Sequence, residues 1–374
     1  MKYTQLLFIT ICIYLINATS IQNDENCFNV KEKSNQEGTV LTINGEGKMC
    51  NCKGNDLQQY QSSIETITFG DSITSIGERC FEEFTQLSQI NFGKGITEIN
   101  EFAFSRSGLT SLIIPETITV IKSHAFEQNN KLVSIDITES QEEIIVEENA
   151  FKNCESLESF KIPKRLQNFN SNMLNGCDNL KTLTISEEHE QYQIKENVLF
   201  SKDGKKLIYY PKGLLNDYYA VPNGVETIEK DVFSYSSITG IDYNSELRQL
   251  NQNSFYYNKI KSLYIPKSVE LIESHAFAMN IDLETVIITS DNIIIEEEAF
   301  EGCKNLKNVI ISSNTIQLQN NVFANCESLK QIRTSTSNDI SIEGKETTDG
   351  LASFDECFLS SFADPAFDKI VSVL

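Results

Sequence analysis

The 374-residue chain contains no tryptophan and only three histidines. His124, His189 and His275 are far apart in the sequence, so the residues offer no Ser/His/Asp or Cys/His constellation. Paired carboxylates are plentiful and would suit a glycosidase, but no tryptophan is present to stack on a sugar ring. These shortages argue against an enzyme, and we expect no catalytic residue and no cofactor.

Long hydrophobic runs are also scarce. The apolar run Leu6–Ile16 follows Lys2 and precedes a stretch of small residues that ends at Ser20, which is typical of a secretory signal peptide over residues 1–20. A signal anchor would need roughly 18 apolar residues to cross a bilayer, and this run ends before Asn17. We therefore predict a mature chain that is secreted or peripherally associated with the cell surface, without direct membrane insertion.

Positive charge is the third shortage, because 31 lysines and arginines face 53 aspartates and glutamates, for a formal net charge of -22. Such a surface repels phosphate backbones, so nucleic acid and anionic membranes are disfavoured as partners. The acidic runs, such as 296–298, lack the spaced Asp/Asn and glycine of a calcium loop. We interpret them as solvated faces and predict no metal site.

An aromatic or leucine residue recurs about every 23 residues through most of the chain. The spacing is 22–25 residues, apart from one gap of 59 residues between 174 and 233. Such regularity predicts a repeat solenoid in which each coil buries its apolar edge against its neighbours. The repeated positions are Phe81, Phe104, Phe126, Phe151, Leu174, Phe233, Phe255, Phe277, Phe300 and Phe323.

Each repeat also carries one short strand signal. Apolar residues alternate from Phe160 to Ile162, as in a half-buried strand, and Pro163 then removes a ladder donor. The same pattern ends at Pro115 and Pro266 in other repeats. We expect these strands to be parallel and to stack along one face of the solenoid.

These units resemble the BspA-like leucine-rich repeat family, whose unit runs as a Val/Ile pair, an Ala-Phe, a Cys or Asn three residues later, and Leu-x-x-Ile-x-Ile-Pro. The resemblance covers residues 64–333, with departures at Leu174, Cys80 and Val232. Upstream, residues 21–63 contain Gly38–Met49, which is similar to the β-hairpin that caps the repeats in this family. The family is associated with adhesion to host or matrix proteins in bacteria and parasitic protists.

Two sections depart from the repeat. Residues 186–222 interrupt it with two strand signals, 198–200 and 207–209, around an Asp203-Gly204 turn, which predicts a hairpin. Residues 334–350 read as a Ser/Thr-rich linker, and the rest to 374 as a C-terminal cap or a disordered tail. Within it, Phe354, Phe358 and Phe362 lie four apart and predict a short helix that ends before residue 365.

Four cysteines occupy the position three residues after the repeated aromatic residue. Other repeats place asparagine or serine there, so we interpret the position as a structural ladder that needs no reactive thiol. Disulfides between neighbouring rungs (154 with 177, 303 with 326) are disfavoured, because parallel side chains in register keep their Cβ atoms apart. The ladder cysteines are Cys154, Cys177, Cys303 and Cys326.

Cys27, Cys50 and Cys52 are the better candidates for disulfides, because a small cap gains most from a covalent link. Their pairing stays open, and a zinc site at residues 50–52 is disfavoured because no second ligand pair is nearby. His124 and His275 hold the same position in two repeats roughly seven coils, or about 30 Å, apart. They cannot share a metal ion, and we expect His189 on a solvated loop.

Tyrosine is concentrated in one part of the chain, since ten of the eleven tyrosines outside residues 1–20 lie between 192 and 264. Tyrosine is enriched at protein interfaces, so this section is the candidate surface for binding a partner. A structural role competes with this hypothesis, because strand alternation turns one of residues 209 and 210 inward. The candidate partner-binding residues are Tyr209, Tyr210, Tyr218, Tyr219, Tyr256 and Tyr257.

The sequence thus favours an exported, non-enzymatic leucine-rich repeat protein that binds an extracellular protein, such as one from a host or matrix. A structural coat component that self-associates is the alternative, and a hydrolase ranks third. Because folds do not dictate functions, the adhesion hypothesis rests on the family resemblance.

Overall fold

The computed structural model describes residues 27–30, 34–52, 56–334, 340–342 and 359–361. The predicted signal peptide, residues 1–20, lies outside this part of the chain. Within the described ranges the elements are strands of two to four residues and three short 3-10 helices, Gln58–Tyr60, Ser171–Leu174 and Lys212–Leu214. None of the helices in these ranges has the length and hydrophobicity needed to cross a membrane.

Fourteen strands among the described residues lie in the first half of the solenoid. They are β1 (Cys27–Phe28), β2 (Ser34–Glu37), β3 (Val40–Ile43), β4 (Gly47–Met49), β5 (Thr66–Phe69), β6 (Ile73–Ile76), β7 (Gln89–Asn91), β8 (Glu98–Ile99), β9 (Ser111–Ile114), β10 (Val120–Ile121), β11 (Ser134–Ile137), β12 (Ile145–Val146), β13 (Ser159–Ile162) and β14 (Thr182–Ile185).

In the part of the chain that the structure describes, sixteen further strands cover the interruption and the second half. They are β15 (Tyr192–Lys195), β16 (Val198–Ser201), β17 (Lys206–Tyr209), β18 (Tyr218–Ala220), β19 (Thr227–Ile228), β20 (Gly240–Asp242), β21 (Gln249–Leu250), β22 (Ser262–Ile265), β23 (Leu271–Ile272), β24 (Thr285–Ile288), β25 (Asn292–Ile295), β26 (Asn308–Ile311), β27 (Thr315–Leu318), β28 (Gln331–Thr334), β29 (Ile340–Ile342) and β30 (Leu359–Ser361).

The coils stack as a parallel β-solenoid, which confirms the predicted fold. Regular coils contribute one strand to a first face, as in β9, β11, β13 and β14, and one to a second face, as in β6, β8, β10 and β12, and the second-face strand is only two residues long in several coils. The expectation of strands along one face was incomplete. The apolar pairs three residues apart, such as Ile118 and Ile121, mark the second face, because Ile121 lies in β10.

The register of the strands explains the repeat length. Leu112 pairs with Ile135 and Ile135 with Phe160, so each buried side chain lies directly over its equivalent in the next coil. In the second half, Leu263, Val286 and Val309 form the same kind of column. A change in length by one residue would turn the alternating side chains outward, so the period is maintained by the core.

The repeated phenylalanines form two columns of stacked rings. From Phe81 to Phe151 the ring centroids of neighbouring coils lie 5.3, 5.4 and 5.5 Å apart. From Phe233 to Phe323 the corresponding distances are 5.0, 5.0, 5.3 and 5.4 Å. The columns are separated by Leu174, a buried residue without a ring.

The predicted hairpin is present in the interruption. Strands β15, β16 and β17 are antiparallel, and Gly204 takes a left-handed φ of 78° at the turn between β16 and β17. Strand β17 then pairs in parallel with β19, so the second face resumes. Side chains of β16 alternate between two cores, since Leu199 packs in the first core and Val198 and Phe200 in the second.

The N-terminal cap contains a hairpin, but a different one from that expected. Strands β2 and β3 are antiparallel around Gly38, whereas β4 lies on the second face between β1 and β6. Gly47, with a φ of 79°, begins β4 after the chain has left the first face. Residues 45–48 are therefore a corner between two sheets, so only the first part of the Gly38–Met49 segment, to Ile43, belongs to the hairpin.

The two faces extend beyond residue 333. Strand β29 pairs with β27 and β30 pairs with β28, both in parallel. Residues 340–342 thus belong to a sheet within what we expected to be a linker. Residues 359–361 form a strand where the pattern predicted a helix, while Phe354, Phe358 and Phe362 lie outside the described residues.

Candidate functional site

The ladder position after each repeated phenylalanine has one structural role. Asn129 donates hydrogen bonds through Nδ2 to the carbonyls of Phe104 and Phe126, at 2.9 and 2.8 Å. Cys154 reaches the carbonyl of Phe126 through its thiol, at 3.3 Å. Buried carbonyls need such donors, so the cysteines here satisfy the backbone of the preceding coil.

The four ladder cysteines are free and buried thiols. A hydrogen bond with the thiol of Cys154, together with burial, raises the pKa of Cys177 well above its ordinary value. Cys326 and burial raise the pKa of Cys303 in the same way. Because the thiolate is the reactive form, these residues are poor nucleophiles and poor metal ligands.

Two disulfides involve the described residues of the cap, one within it and one to the first repeat. Cys27 is bonded to Cys50, with a Cα–Cα distance of 5.0 Å, and Cys52 to Cys80, at 4.8 Å. Cys80 was not among the expected partners, because we interpreted it only as a substitute for the small residue before Phe81. Both links join neighbouring coils at the usual spacing of stacked strands, so our argument that this spacing disfavours a disulfide was too strict.

Three of the six candidate tyrosines are buried and cannot contact a partner. Tyr210 is 1% exposed, and Tyr209 and Tyr219 are also buried. The ring of Tyr210 packs against those of Tyr219 and Phe233, at centroid distances of 5.3 and 4.9 Å. These tyrosines fill the gap between the two phenylalanine columns, so their assignment to a binding surface was wrong.

The other candidates are accessible and divide into two places. Tyr218 is 52% exposed on the first face, where its ring lies over Gly240. Tyr257 is 50% exposed and Tyr256 is half-buried, both in the turn after Phe255. The structure therefore separates the sheet-face tyrosine from the turn tyrosines.

The turn tyrosines form a cluster with one residue that the candidate set omitted. Tyr235 is 52% exposed, and its ring centroid lies 5.4 Å from that of Tyr256 and 5.3 Å from that of Tyr257. The Nζ atom of Lys212 lies 5.4 Å from the centroid of Tyr235, within the range of a cation–π contact. We call Tyr235, Tyr256, Tyr257 and Lys212 the tyrosine patch.

A cleft of about 200 Å³ borders the tyrosine patch. Lys212, Tyr235 and Tyr256 contribute to its wall, together with Asn172 and Asn253. Amide groups can donate and accept hydrogen bonds, while the tyrosine rings offer apolar contact. Partial burial, together with the neighbouring Tyr256, raises the pKa of Tyr235, which keeps its hydroxyl group protonated.

The three histidines have different surroundings. His189 is buried, so the expectation of a solvated loop was wrong; its Nδ1 atom accepts hydrogen bonds from the amides of residues 191 and 192. Burial lowers the pKa of His189 and favours its neutral form. His275 lies beside Glu298 and Glu301, and these three side chains are the group among the described residues with the spacing of metal ligands.

The family described as BspA type Leucine rich repeat region matches the chain in six copies, over residues 55–181, 143–214, 214–330 and 272–360. The chain belongs to this family. The matched ranges include the interruption at 186–222, so the hairpin lies within the BspA-type region. No curated protein matches this BspA-type chain.

Solved structures of bacterial leucine-rich repeat proteins have the same fold. The pneumococcal vaccine antigen PcpA is 22% identical with a TM-score of 0.63, and the match covers 91% of this chain and 93% of that chain. A leucine-rich repeat protein from Eubacterium ventriosum is 21% identical with a TM-score of 0.62, covering 84% and 93%. A leucine rich cell surface protein from Faecalibacterium prausnitzii is 22% identical with a TM-score of 0.59, covering 83% and 86%.

Proposed function

We propose that this BspA-type protein is exported, has no enzymatic activity and binds an extracellular protein through the tyrosine patch. The observation that carries the proposal is the contact of three accessible tyrosine rings with one another and with Lys212 beside a cleft. Tyrosine supplies a large and rigid contact area at a low cost in conformational entropy, which is why it is enriched in binding surfaces.

The repeat places two of the patch tyrosines at equivalent turn positions. Tyr235 and Tyr257 take left-handed φ angles of 58° and 55°, a conformation that disfavours bulky side chains. Both lie two residues after the repeated phenylalanine, and in other coils this position holds a different residue. The equivalents with positive φ are Glu83, Arg106, Gln128, Asn153, Gly176, Met279, Gly302 and Asn325.

Tyrosine occurs at this position in two successive coils, so the two rings stand one above the other. Neither ring fills the core, because both side chains are about half exposed. The fold therefore gains little from tyrosine at these turns, and a partner that covers the rings would gain apolar contact. This favours a role outside the stability of the solenoid.

The chemistry of the patch favours a protein as the occupant. Lys212 provides a positive group in a chain whose net charge is -22, and it also lies 3.6 Å from the carboxylate of Asp178. A mixture of aromatic rings, amides and one cation suits a protein loop with polar and apolar side chains. Export is supported by the printed description of the Faecalibacterium prausnitzii neighbour as a cell surface protein.

The experiment begins with capture of extracellular proteins by the purified chain from residue 21, read by mass spectrometry. Binding of the captured protein is then measured for the variant Tyr235→Asn/Tyr256→Ala/Tyr257→Asn. Asparagine suits the two left-handed turns, because other coils place Asn153 and Asn325 there. We expect at least about a thirtyfold loss of affinity, since buried tyrosine anchors are typically worth 2 kcal/mol or more.

The matched control is Tyr218→Ala/Tyr264→Ala, which removes two exposed tyrosines from the first face. This variant should keep its affinity for the partner. Equal binding by the patch variant, or an equal loss in the control, would contradict a specific role for the patch. Concentration-dependent assembly of the chain alone, measured by light scattering, would instead support the structural coat.

A further inference from the structure

Three potential metal ligands meet at one edge of the second half. The Nε2 atom of His275 lies 2.8 Å from a carboxylate oxygen of Glu298 and 3.7 Å from one of Glu301. All three ligand atoms lie within 4.8 Å of one another. The side chains are 29%, 34% and 30% exposed, so an ion from solvent can reach them while water does not fully surround them.

The repeat itself brings these residues together. His275 and Glu298 are 23 residues apart and take the same left-handed turn conformation in successive coils, each with a φ of 57°. Their side chains therefore leave the backbone in similar directions, one coil apart. Glu301 lies three residues after Glu298, at the position that the buried Ala278 holds in the coil of His275.

The distances suit one small ion with tetrahedral coordination. Zinc bonds of 2.0–2.2 Å to nitrogen and oxygen place neighbouring ligand atoms about 3.3–3.6 Å apart. The observed separations of 2.8 and 3.7 Å lie on either side of this range, so small rotations of the side chains would complete the geometry. Imidazole favours zinc and other transition metals, and the two carboxylates supply the charge that balances a divalent cation.

No lysine or arginine of the described residues forms an ion pair with either carboxylate. The close contacts of Glu298 and Glu301 are with the imidazole of His275. The other oxygen of Glu301 accepts a hydrogen bond from Nδ2 of Asn325, at 3.2 Å. Such an outer contact orients a carboxylate ligand, and it leaves the oxygen that faces His275 available to an ion.

The first half contains a natural counterexample. His124 occupies the same position in its coil, with a φ of 61°, but the next coil places Asn149 and Lys152 where the second half has its two glutamates. His124 pairs instead with Glu127 of its own coil, at 2.8 Å, and Lys152 lies 4.0 Å from that carboxylate. A cation already occupies the place where a metal ion would have to bind.

We propose that His275, Glu298 and Glu301 form a binding site for a divalent transition metal of the zinc class. The ligands are Nε2 of the imidazole and one oxygen of each carboxylate, and the fourth position is open to water or to a ligand from a binding partner. The ion links two successive coils. This site is separate from the tyrosine patch, and neither proposal depends on the other.

The test is titration of the untagged, EDTA-treated chain with zinc chloride by isothermal titration calorimetry. We expect one zinc ion per chain at this site and an increase in thermal stability, because the three ligands come together only in the folded state. His275→Asn should weaken binding by roughly tenfold or more. Asparagine fits the turn, since Asn253 and Asn321 occupy it in neighbouring coils with φ angles of 55° and 58°.

The matched control is His124→Asn, which should leave zinc binding unchanged. A second variant, Asn149→Glu/Lys152→Glu, transplants the carboxylates to the first half and should add a second zinc ion per chain. With cobalt in place of zinc, the folded chain should show the visible absorption of a tetrahedral ion, and His275→Asn should lose it.

Two results would overturn the proposal. One is the absence of stoichiometric zinc binding to the wild-type chain. The other is zinc binding that persists unchanged in His275→Asn, which would place the ion on thiols or on scattered carboxylates. If His275 serves only an ion pair, its replacement will change the stability equally with and without zinc, and the proposal fails.

Discussion

The regular coils and the interruption at residues 186–222 solve the same packing problem in different ways. In a regular coil each phenylalanine ring stacks on the equivalent ring of the next coil, as Phe255 does on Phe277 at 5.0 Å. In the interruption, the adjacent residues Tyr209 and Tyr210 fill the space instead. The ring centroids of Tyr210 and Phe233 lie 4.9 Å apart. Repetition makes the packing of the regular core predictable, whereas packing in the interruption depends on contacts between particular residues.

The regular coils also show which residues the core requires and which residues are free to differ at the surface. In regular coils, the stack keeps the inward positions apolar, or small and polar at the ladder position, whereas the turns tolerate larger differences between coils. Tyr235, Tyr257 and His275 all occupy such turns, at positions with positive φ. Turn residues that differ from their equivalents in most other coils are therefore the best candidates for function.

The largest expected effect is the loss of a ring from a regular column. Phe277→Ala removes a ring that is stacked on both sides, and we expect it to lower the free energy of unfolding by about 3–5 kcal/mol. Leu174→Ala, beside the interruption, should cost less, because no stacked ring is lost. Urea unfolding followed by circular dichroism measures the free energy of unfolding of both variants. Equal losses would show that ring stacking adds nothing to the stability of the column.

The next effect concerns hydrogen bonds to buried backbone groups. Asn280→Ala removes the donors to the carbonyls of Phe255 and Phe277 and should cost about 1–3 kcal/mol. Tyr192→Phe, in the interruption, removes one acceptor for the amide of Phe169 and should cost about 0.5–1.5 kcal/mol. Asn280→Ala should therefore have the lower thermal unfolding midpoint of the two variants. The reverse order would contradict this prediction.

A dependence on pH should follow from the raised thiol pKa values. The thiols of Cys177 and Cys303 stay protonated in the folded chain, while unfolded thiols ionise near pH 8.5. Stability is therefore unaffected below about pH 8.5 and falls above it, by up to about 1.4 kcal/mol per pH unit for each thiol.

Urea unfolding at pH 7.5 and 9.5 measures this loss. Cys177→Ser and Cys303→Ser should each remove part of it, one beside the interruption and one in the regular stack. Alkylation of either thiol in the folded chain at pH 8.5 would contradict the prediction.

The smallest expected effect is that of the tyrosine patch on stability. Tyr235→Asn/Tyr256→Ala/Tyr257→Asn changes accessible side chains and should alter the free energy of unfolding by no more than about 0.5 kcal/mol for each residue. Tyr210→Ala, whose ring is buried, should cost several times more. A patch variant as unstable as Tyr210→Ala would show that the turn tyrosines belong to the core.

Local patterns were enough to predict the solenoid and the second hairpin. The phenylalanine period predicted the stacked coils, and Asp203-Gly204 between apolar runs predicted the turn between β16 and β17. These features depend on residues that are close in sequence or repeated in register. The second face was missed because its strands are only two residues long in many coils.

The candidate site was only partly predictable. Alternation shows that neighbouring strand residues face opposite sides, but Tyr209 and Tyr210 are both buried because two cores meet there. The pairing of Cys52 with Cys80 depends on the cap geometry, which no periodic pattern describes. The His275–Glu298 contact did have a signal, since Glu298 lies one 23-residue step from His275.

The parallel stacking of coils has a mechanical consequence. Tension applied between the two ends would act along the hydrogen bonds that join successive strands, so coils would detach one after another from an end. Each released coil of about 23 residues could extend to roughly 75–80 Å. At the N-terminal end, the Cys27–Cys50 and Cys52–Cys80 disulfides enclose the first coils, so extension under load would begin at the other end of the molecule.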